Sequence, residues 1–345
     1  IRKIFFSYFI FFLTSPSLSA VSSSKEQEAK HQESSYFFYN PDGLGAHAFY
    51  TPYSMVLEAG FEAMYDRRID LYPFKDGVEN VLEGFKNPDK AIEEYGGYAK
   101  FFEDQFIPIK SGKGWVPNYL WHFLGGGFRT RLLEEYYSHH DYSYPRTTAW
   151  LVMYLGHFLN EVMQAEGASQ GSADALADLL FFDWVGKVLF HYDWFARFFK
   201  DKLHLKEWTY QMTFDPVSKR LLNNGQQFLM RYKLSESSSL GFLTGNMHNS
   251  FLYIYSPNKD KEQYSLGLGF KPEDFNWGGG QPNPSFYTYS FLLAYSQYDN
   301  PLLTFFYQSG RKDNDYYLYH EGERSLNRKN IYSSEKLIIN LFPKW

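Results

Sequence analysis

The spacing of apolar residues changes near residue 206, and this change divides the chain into two parts. In the first part, apolar side chains recur every three or four residues, which is typical of helices with one buried face. From Trp208 onward they alternate with small or polar residues, which is typical of β-strands. The pattern predicts an α+β protein, with a helical domain at 36–205 and an antiparallel sheet at 206–345.

The helical domain is predicted to contain three to five helices. Met55 to Tyr65 and Pro88 to Phe106 have helical spacing, and turn-forming residues around Pro73 and Gly77 separate them. The block from Pro117 to Lys202 has the strongest helical periodicity and predicts three or four packed helices.

Local signals place breaks inside that block. Pro145 marks one break, and Thr147 or Thr148 would then cap the next helix. Ser172 would cap the helix after it, because serine side chains accept hydrogen bonds from the first free backbone N–H groups of a helix.

About eight strands are predicted after residue 206. Turn-forming segments join them, so neighbouring strands must be antiparallel, since a parallel return needs a crossover of about a dozen residues or more. The candidate strands are Trp208–Phe214, Gln227–Leu234, Leu240–Thr244, Asn249–Tyr255, Tyr264–Phe270, Phe286–Ser296, Leu302–Gln308, Tyr316–His320 and Lys336–Phe342.

Each predicted strand has one face of large, often aromatic residues and one face of small or polar residues. A compact closed barrel with a lipid-facing exterior shows this alternation. A soluble sheet with its aromatic face turned inward would show it too. The sequence favours the membrane barrel, and the C-terminal run that ends at Trp345 resembles the assembly signal of outer-membrane barrels, from which Pro343 departs.

The N-terminus has the layout of a secretory signal. Two basic residues, Arg2 and Lys3, precede an apolar run at 4–13, and small residues follow it. We expect a cleaved signal peptide at 1–20 and a disordered leader at 21–35. The expected location is the outer membrane or periplasm of a bacterium with two membranes.

Composition excludes several classes of protein. Aromatic residues make up 21% of the chain, yet runs of about 20 apolar residues are missing, so a polytopic helical membrane protein is not expected. The net charge of -5 provides no basic field for nucleic acid. Cysteine is absent, which excludes disulfides, thiolate nucleophiles and cysteine-ligated metals.

Ionisable residues recur at helical spacing within the apolar helical block. His157 and Glu161 are four residues apart and share a helix face, and Asp174 and Asp178 repeat this spacing on the next helix. Packed together, these helices would gather their polar groups with His122. Imidazole and carboxylate groups suit zinc, manganese or iron, or an acid/base pair.

The site predictions follow from this grouping, with two alternatives left open. A buried hydrogen-bond network that fixes helix register would use the same residues, and so would a solvent-exposed surface. We expect no cofactor, with a divalent metal as the alternative. The candidate catalytic residues are His157, Glu161, Asp178 and Asp183, and the candidate metal ligands are His122, His157, Glu161 and Asp178.

The same block resembles a run in uncharacterised bacterial envelope proteins. The resemblance covers about 75 residues, through Asn118 to Gly127, Gly156 to Glu161, and Ser172 to Gly186. In those proteins a helical segment with His, Glu and a Ser-x-Asp step precedes a barrel-like C-terminus. The resemblance implies an envelope location and no specific activity.

Three functions are consistent with these features. The first is a non-enzymatic outer-membrane or periplasmic protein with a structural, anchoring or lipid-contact role, whose partner is envelope lipid. The second is a membrane-associated, metal-dependent hydrolase acting on lipid or cell-wall material. The third is a small-ligand carrier of lipocalin-like shape, which would need a roomy, apolar sheet interior.

Overall fold

A computed structural model provides the structure of the chain. It describes residues 36–41, 43, 50–64, 69, 73–107, 118–164, 169–208, 212–217, 219–222, 225–245, 249–259, 261–272, 287–298, 300–308, 316–320, 323–327 and 336–341. The predicted signal peptide at 1–20 and leader at 21–35 lie outside these residues. The described part is α+β, with helices first and an antiparallel sheet after them, as the spacing of apolar residues predicts.

Eight continuous helices occur among the described residues, rather than three to five. Two of them contain a π-helical segment, in which hydrogen bonds run from residue i to i+5. The first four are α1 (Pro52–Gly60), α2 (Phe74–Lys86), α3 (Pro88–Tyr95) and α4 (Tyr98–Phe106). The others are α5 (118–139: π segment Asn118–Gly125, then Gly126–His139), α6 (Pro145–Gln164), α7 (169–191: Ser169–Ala177, π segment Asp178–Phe182, then Asp183–His191) and α8 (Asp193–Leu203).

The extra helices arise where glycine and proline suggested turns. Gly77 lies inside α2, where an added Cβ would come 2.2 Å from the carbonyl oxygen of Val162, so the glycine permits close helix packing. The predicted helix Pro88–Phe106 is instead two helices, because Gly96 and Gly97 adopt positive φ angles between them.

The predicted break at Pro145 is confirmed, because α5 ends at His139 and α6 begins at Pro145, but the predicted caps are wrong. Pro145 is itself the first residue of α6, which suits a residue that has no N–H to donate. Thr147 and Thr148 therefore lie inside α6. Ser172 lies inside α7, which begins at Ser169.

The main sheet has eight antiparallel strands and forms an open half-barrel in the order β1-β4-β5-β6-β7-β8-β9-β12, with β1 and β12 at its edges. Two separate hairpins, β2–β3 and β10–β11, complete the described strands. The strands are β1 (Lys206–Glu207), β2 (Thr213–Asp215), β3 (Arg220–Leu222), β4 (Gln227–Lys233), β5 (Ser238–Gly245), β6 (Asn249–Tyr255), β7 (Gln263–Pro272), β8 (Tyr287–Gln297), β9 (Asn300–Gln308), β10 (Tyr316–His320), β11 (Glu323–Asn327) and β12 (Lys336–Leu341).

The predicted strand Trp208–Phe214 is not one strand with all its rings on one side. Trp208 is buried against the inner face of the main sheet, and its backbone N–H donates to the carbonyl of Gln227. Phe214 belongs to the separate β2–β3 hairpin and is half exposed. The remaining predicted strands lie within a few residues of β4–β10 and β12.

The helices and the sheet share a core. One buried cluster joins α5, α7 and α8 to β4 through Phe128, Phe190, Ala196 and Phe228. A second cluster fills the concave face of the sheet and brings Leu229 of β4 against Phe306 of β9. None of the described helices is both long enough and apolar enough to cross a bilayer.

Candidate functional site

Three helices bring five ionisable side chains together in the interior of the helical domain. The π segment of α5 contributes a histidine, α6 contributes a histidine and a glutamate, and α7 contributes two aspartates. All five are at most 3% exposed: His122, His157, Glu161, Asp178 and Asp183. The structure thus places every candidate site residue of the sequence in one buried cluster.

The π segment of α7 explains how both aspartates reach the cluster. Asp178 and Asp183 are five residues apart, and the N–H of Asp183 donates to the carbonyl of Asp178 in the i to i+5 pattern. In an α-helix, five residues turn the chain by about 140° beyond one full turn, which would point the two side chains apart. The wider π turn instead stacks them on one face.

A glycine lets α5 approach the cluster closely. A Cβ on Gly126 would lie 2.6 Å from Cε1 of His157 and 3.3 Å from Oδ1 of Asp183. Real Cβ atoms almost never approach carbon so closely, so a larger residue here would displace the histidine. The Gly125–Gly127 run therefore serves as a packing surface within a continuous helix.

Asp183 is the hub of the hydrogen-bond network. Its Oδ1 accepts from Nδ1 of His157 in a short contact and lies 3.3 Å from Nδ1 of His122, while Nζ of Lys187 donates to Oδ2 over 3.3 Å. Burial would raise the pKa of Asp183, but these positive and donating groups outweigh it and hold the pKa below its usual range. Both histidines therefore direct Nδ1–H at Asp183, and Nε2 points elsewhere.

The other side of His122 faces two carboxyl groups. Its Nε2 lies 3.6 Å from Oε1 of Glu161 and 3.6 Å from Oδ2 of Asp178. Burial would lower the pKa of His122, but Asp178, Asp183 and Glu161 raise it to about 10. Burial raises the pKa of Glu161 to about 8 and that of Asp178 well above its usual value.

Three polar atoms of the cluster lack a hydrogen-bond partner among the described residues. They are Oε1 of Glu161, Oδ1 of Asp178 and Nε2 of His157, and all three are buried. Buried polar atoms are nearly always paired, so each such atom calls for an explanation.

Sequence reasoning missed the residues that support the cluster. Lys187 lies four residues after Asp183, a spacing that could have revealed this ion pair. Gln105 of α4 donates to Asp174 over 2.6 Å and accepts from Asn118 over 2.6 Å, which ties α4 to both π-containing helices. Nothing in the local sequence marks Gln105.

A second buried cluster joins the helices to the sheet. Arg129 of α5 donates to Glu58 of α1 over 3.1 Å and makes a short contact to Glu207 of β1. Glu62 lies nearby and accepts from Gln226 over 3.0 Å. These residues are far apart in the chain, so no sequence spacing predicts the cluster.

Comparisons with protein-family models, with curated proteins and with solved structures find no match to this chain. The resemblance to bacterial envelope proteins therefore stays a prediction.

Proposed function

We propose that this chain is a lipid-embedded envelope protein, in which the main sheet completes a closed barrel and has an anchoring or lipid-contact role. The observation that carries the proposal is the direction of the two strand faces. On β6, Phe251, Tyr253 and Tyr255 are exposed, whereas Leu252 and Ile254 between them are buried. A soluble sheet would turn the aromatic residues inward.

Strand register joins the residues of the outer face, which are exposed or half-buried, into continuous rows across the sheet. Neighbours within a row are directly paired, so each row is a band of apolar side chains. The first row runs Tyr255, Tyr264, Tyr295 and Leu303. The second runs Tyr232, Leu240, Tyr253, Leu266, Leu293 and Phe305. The third runs Met230, Phe242, Phe251, Leu268, Phe291 and Tyr307, and at its β4 end Met230 packs against the core cluster shared with the helices.

The tyrosine-rich first row lies at one end of the strands. Tyrosine suits the boundary between lipid and water, because its ring is apolar and its hydroxyl is polar, and membrane barrels have such girdles. The chain turns at this end through the short segments 234–237, 256–262 and 298–299, and at the other end through 246–248, 273–286 and 309–335. Every connection at the tyrosine-rich end is short, whereas two of the three at the other end, 273–286 and 309–335, are longer. Membrane barrels likewise have short turns at one end and longer loops at the other.

The length of three strands supports a sheet that spans a bilayer, and one contact brings the edge strand β1 toward β9. A strand needs about 9–11 residues to cross a bilayer. The strands β7, β8 and β9 have 10, 11 and 9 residues, whereas β4, β5 and β6 have 7, 8 and 7. Nζ of Lys206 on β1 donates to the carbonyl of Tyr298 in the turn between β8 and β9 over 2.8 Å, so one edge strand lies close to the turn that leads into β9, the neighbour of the other edge strand.

The other two hypotheses have less support from the geometry. A lipocalin-like carrier needs a roomy interior, but Trp208, Leu243, Leu252 and Phe306 pack together on the concave face of the sheet. A hydrolase needs substrate at its catalytic groups, and the five side chains of the His/Glu/Asp cluster are almost completely buried.

Site-directed spin labelling tests the lipid-facing assignment, and the lack of cysteine makes the wild-type chain a clean background. Nitroxides are placed on Phe251→Cys and Leu268→Cys, which point outward, and on Leu252→Cys and Ser265→Cys as inward-facing controls. The full chain is reconstituted in phosphatidylethanolamine and phosphatidylglycerol vesicles. Collision of each nitroxide with oxygen and with a water-soluble nickel chelate is then measured.

We expect the two outward labels to collide often with oxygen and rarely with nickel, because oxygen concentrates in lipid. The inward labels should collide rarely with both reagents. Frequent collision of the outward labels with nickel, or recovery of the full chain in vesicle-free buffer without detergent, would contradict the proposal.

A further inference from the structure

The distances around His122 match the spacing of ligands on one metal ion. Nε2 of His122, a carboxyl oxygen of Glu161 and one of Asp178 all lie within 4.8 Å of one another, and both histidine distances are 3.6 Å. This is too long for a hydrogen bond. Two ligands bonded to one ion at about 2.0–2.2 Å stand about 3.0–3.5 Å apart, so a small contraction would complete the site.

Each of the two carboxyl groups has one oxygen atom without a partner among the described residues. Oε1 of Glu161, which lies 3.6 Å from Nε2 of His122, accepts no hydrogen bond. Oδ1 of Asp178 accepts none either, and Oδ2 of the same carboxyl group lies 3.6 Å from Nε2 of His122. Both side chains are at most 2% exposed. A protein seldom leaves carboxyl oxygens in this condition unless another group satisfies them.

Asp183 occupies the position of the carboxylate that commonly orients a metal-binding histidine. It lies beside Nδ1 of His122, on the side of the ring opposite the carboxyl groups of Glu161 and Asp178. Metal-ligating histidines almost always donate their second N–H to such a partner, which fixes the tautomer and directs the lone pair of the other nitrogen at the ion.

We propose that His122, Glu161 and Asp178 bind one divalent transition-metal ion, with Asp183 as the positioning residue for His122. One imidazole and two carboxylates suit zinc, manganese or iron(II). This inference rests on the helical domain alone and is independent of the membrane proposal.

A competing set of ligands can be drawn from the same cluster. His122, His157 and Asp183 also lie within 4.8 Å of one another. Their facing atoms are already joined through Asp183, and the ammonium group of Lys187 stands beside that carboxylate, where it would repel a cation. The set with unsatisfied oxygens is therefore the better site.

Cobalt(II) titration of the purified full chain tests the site. The chain is stripped with a chelator, and the visible absorption of cobalt(II), which reports nitrogen and oxygen ligation in a chain without cysteine, is followed as the metal is added. Zinc is then added in competition. Circular dichroism of every variant checks that the helices remain folded.

The variants separate ligands from supporting residues. Glu161→Gln, Asp178→Asn and His122→Asn should each weaken cobalt binding by more than about 100-fold, beyond the roughly 10- to 100-fold expected for the outer-shell variant Asp183→Asn. His157→Asn should retain most of the affinity. Glu58→Gln, which removes a buried carboxyl group from the Arg129 cluster, is the matched control and should bind like the wild type.

Two results would overturn the inference. One is a wild-type chain that binds cobalt no more tightly than folded Glu161→Gln. The other is a loss in His157→Asn as large as that in His122→Asn, with Glu161→Gln retaining its affinity, which would assign the ion to the competing set.

Discussion

Glu58 is a buried carboxyl group whose protonation is coupled to the stability of the fold. Burial raises its pKa to about 8, although Arg129 opposes the shift, and burial raises the pKa of Glu62 to about 7. In the unfolded chain both groups return to about 4.5. The folded state therefore holds protons that the unfolded state has released between pH 4.5 and about 8.

The resulting prediction concerns pH and the free energy of unfolding. Below pH 4.5 the contribution of Glu58 to the free energy of unfolding is fully present. It is lost as the pH rises through 8, because the folded state then has to ionise a buried acid. One such group lowers the free energy of unfolding by at most about 1.4 kcal/mol per pH unit over this range. Glu58→Gln should therefore reduce the decline in the free energy of unfolding between pH 5 and pH 8 by at most about 4 kcal/mol. Denaturant titrations at the two pH values measure this.

Glu79→Gln is the control, since Glu79 is an exposed carboxyl group on α2. The free energy of unfolding of Glu79→Gln should decline between the two pH values as much as that of the wild type. If the free energy of Glu58→Gln also declined as much as that of the wild type, Glu58 would be ionised in the folded chain.

Sequence spacing can identify a candidate site residue when the residues that it contacts are close to it in the chain. His157 and Glu161 share one face of α6 at four residues, so the site candidates on that helix follow directly. Arg129 cannot be identified this way, because its partners Glu58 and Glu207 depend on how α1 and β1 pack against α5. Tertiary packing decides such contacts.

At the scale of the element, α1 begins with a capping box. Thr51 accepts from the N–H of Ser54, and the side chain of Ser54 accepts from the N–H of Thr51. Thr51→Ala should lower the free energy of unfolding by about 1 kcal/mol, since a free N–H of the first turn loses its partner. Equilibrium unfolding measures the change.

Thr147→Ala is the matched control for the capping prediction. Thr147 lies in the first turn of α6 but is not its N-cap, so its loss should change the free energy of unfolding by less than about 0.5 kcal/mol. A cost equal to that of Thr51→Ala would mean that α6 starts later than the structure shows.

Elements with a strong period were predictable, and those shaped by glycine and proline were not. The alternation in β6 gives its limits of Asn249 and Tyr255 directly. The sequence of α2 predicts a turn, because Gly77 and Pro73 are turn formers in isolation. Only the packing of α2 on Val162 explains why a glycine is needed inside that helix.

For the whole molecule, the proposed closure of the barrel predicts the effect of proline on β12. Adjacent N–H groups of a strand point to opposite sides, so one of Ile338 and Ile339 directs its N–H away from β9. If β12 is an open edge, it tolerates proline at whichever of the two residues points its N–H away from β9. In a closed barrel both N–H groups are paired, so proline is tolerated at neither residue. Ile338→Pro and Ile339→Pro should therefore both abolish closure.

Gel mobility is the measurement, because a closed barrel has no free edge and resists SDS until it is boiled. We expect unboiled wild type to migrate apart from the boiled chain, and both proline variants to lose this difference. Ile339→Val is the control and should keep it. One proline variant that retains the shifted band would show that β12 is an open edge.

The large-scale arrangement was only partly available from sequence. Alternation predicts the sheet, and short connections predict antiparallel neighbours, because both are local. Which face points outward is not local, since an aromatic row suits a core and a lipid surface equally well. The exposure of Phe251 and Leu268 beside buried Leu252 supplies that information.

The π turn in α7 makes the length of this helix matter more than the identity of some of its residues. Leu180 and Phe181 are exposed, so exchanging them for other side chains should be readily accommodated during evolution. Deleting one of them would leave the two aspartates four residues apart, a spacing that keeps both side chains on one face if the π turn becomes an ordinary α-helical turn. Descendants of this chain should therefore vary in composition at these positions while keeping the aspartates either five residues apart across a π turn or four residues apart across an α-helical turn.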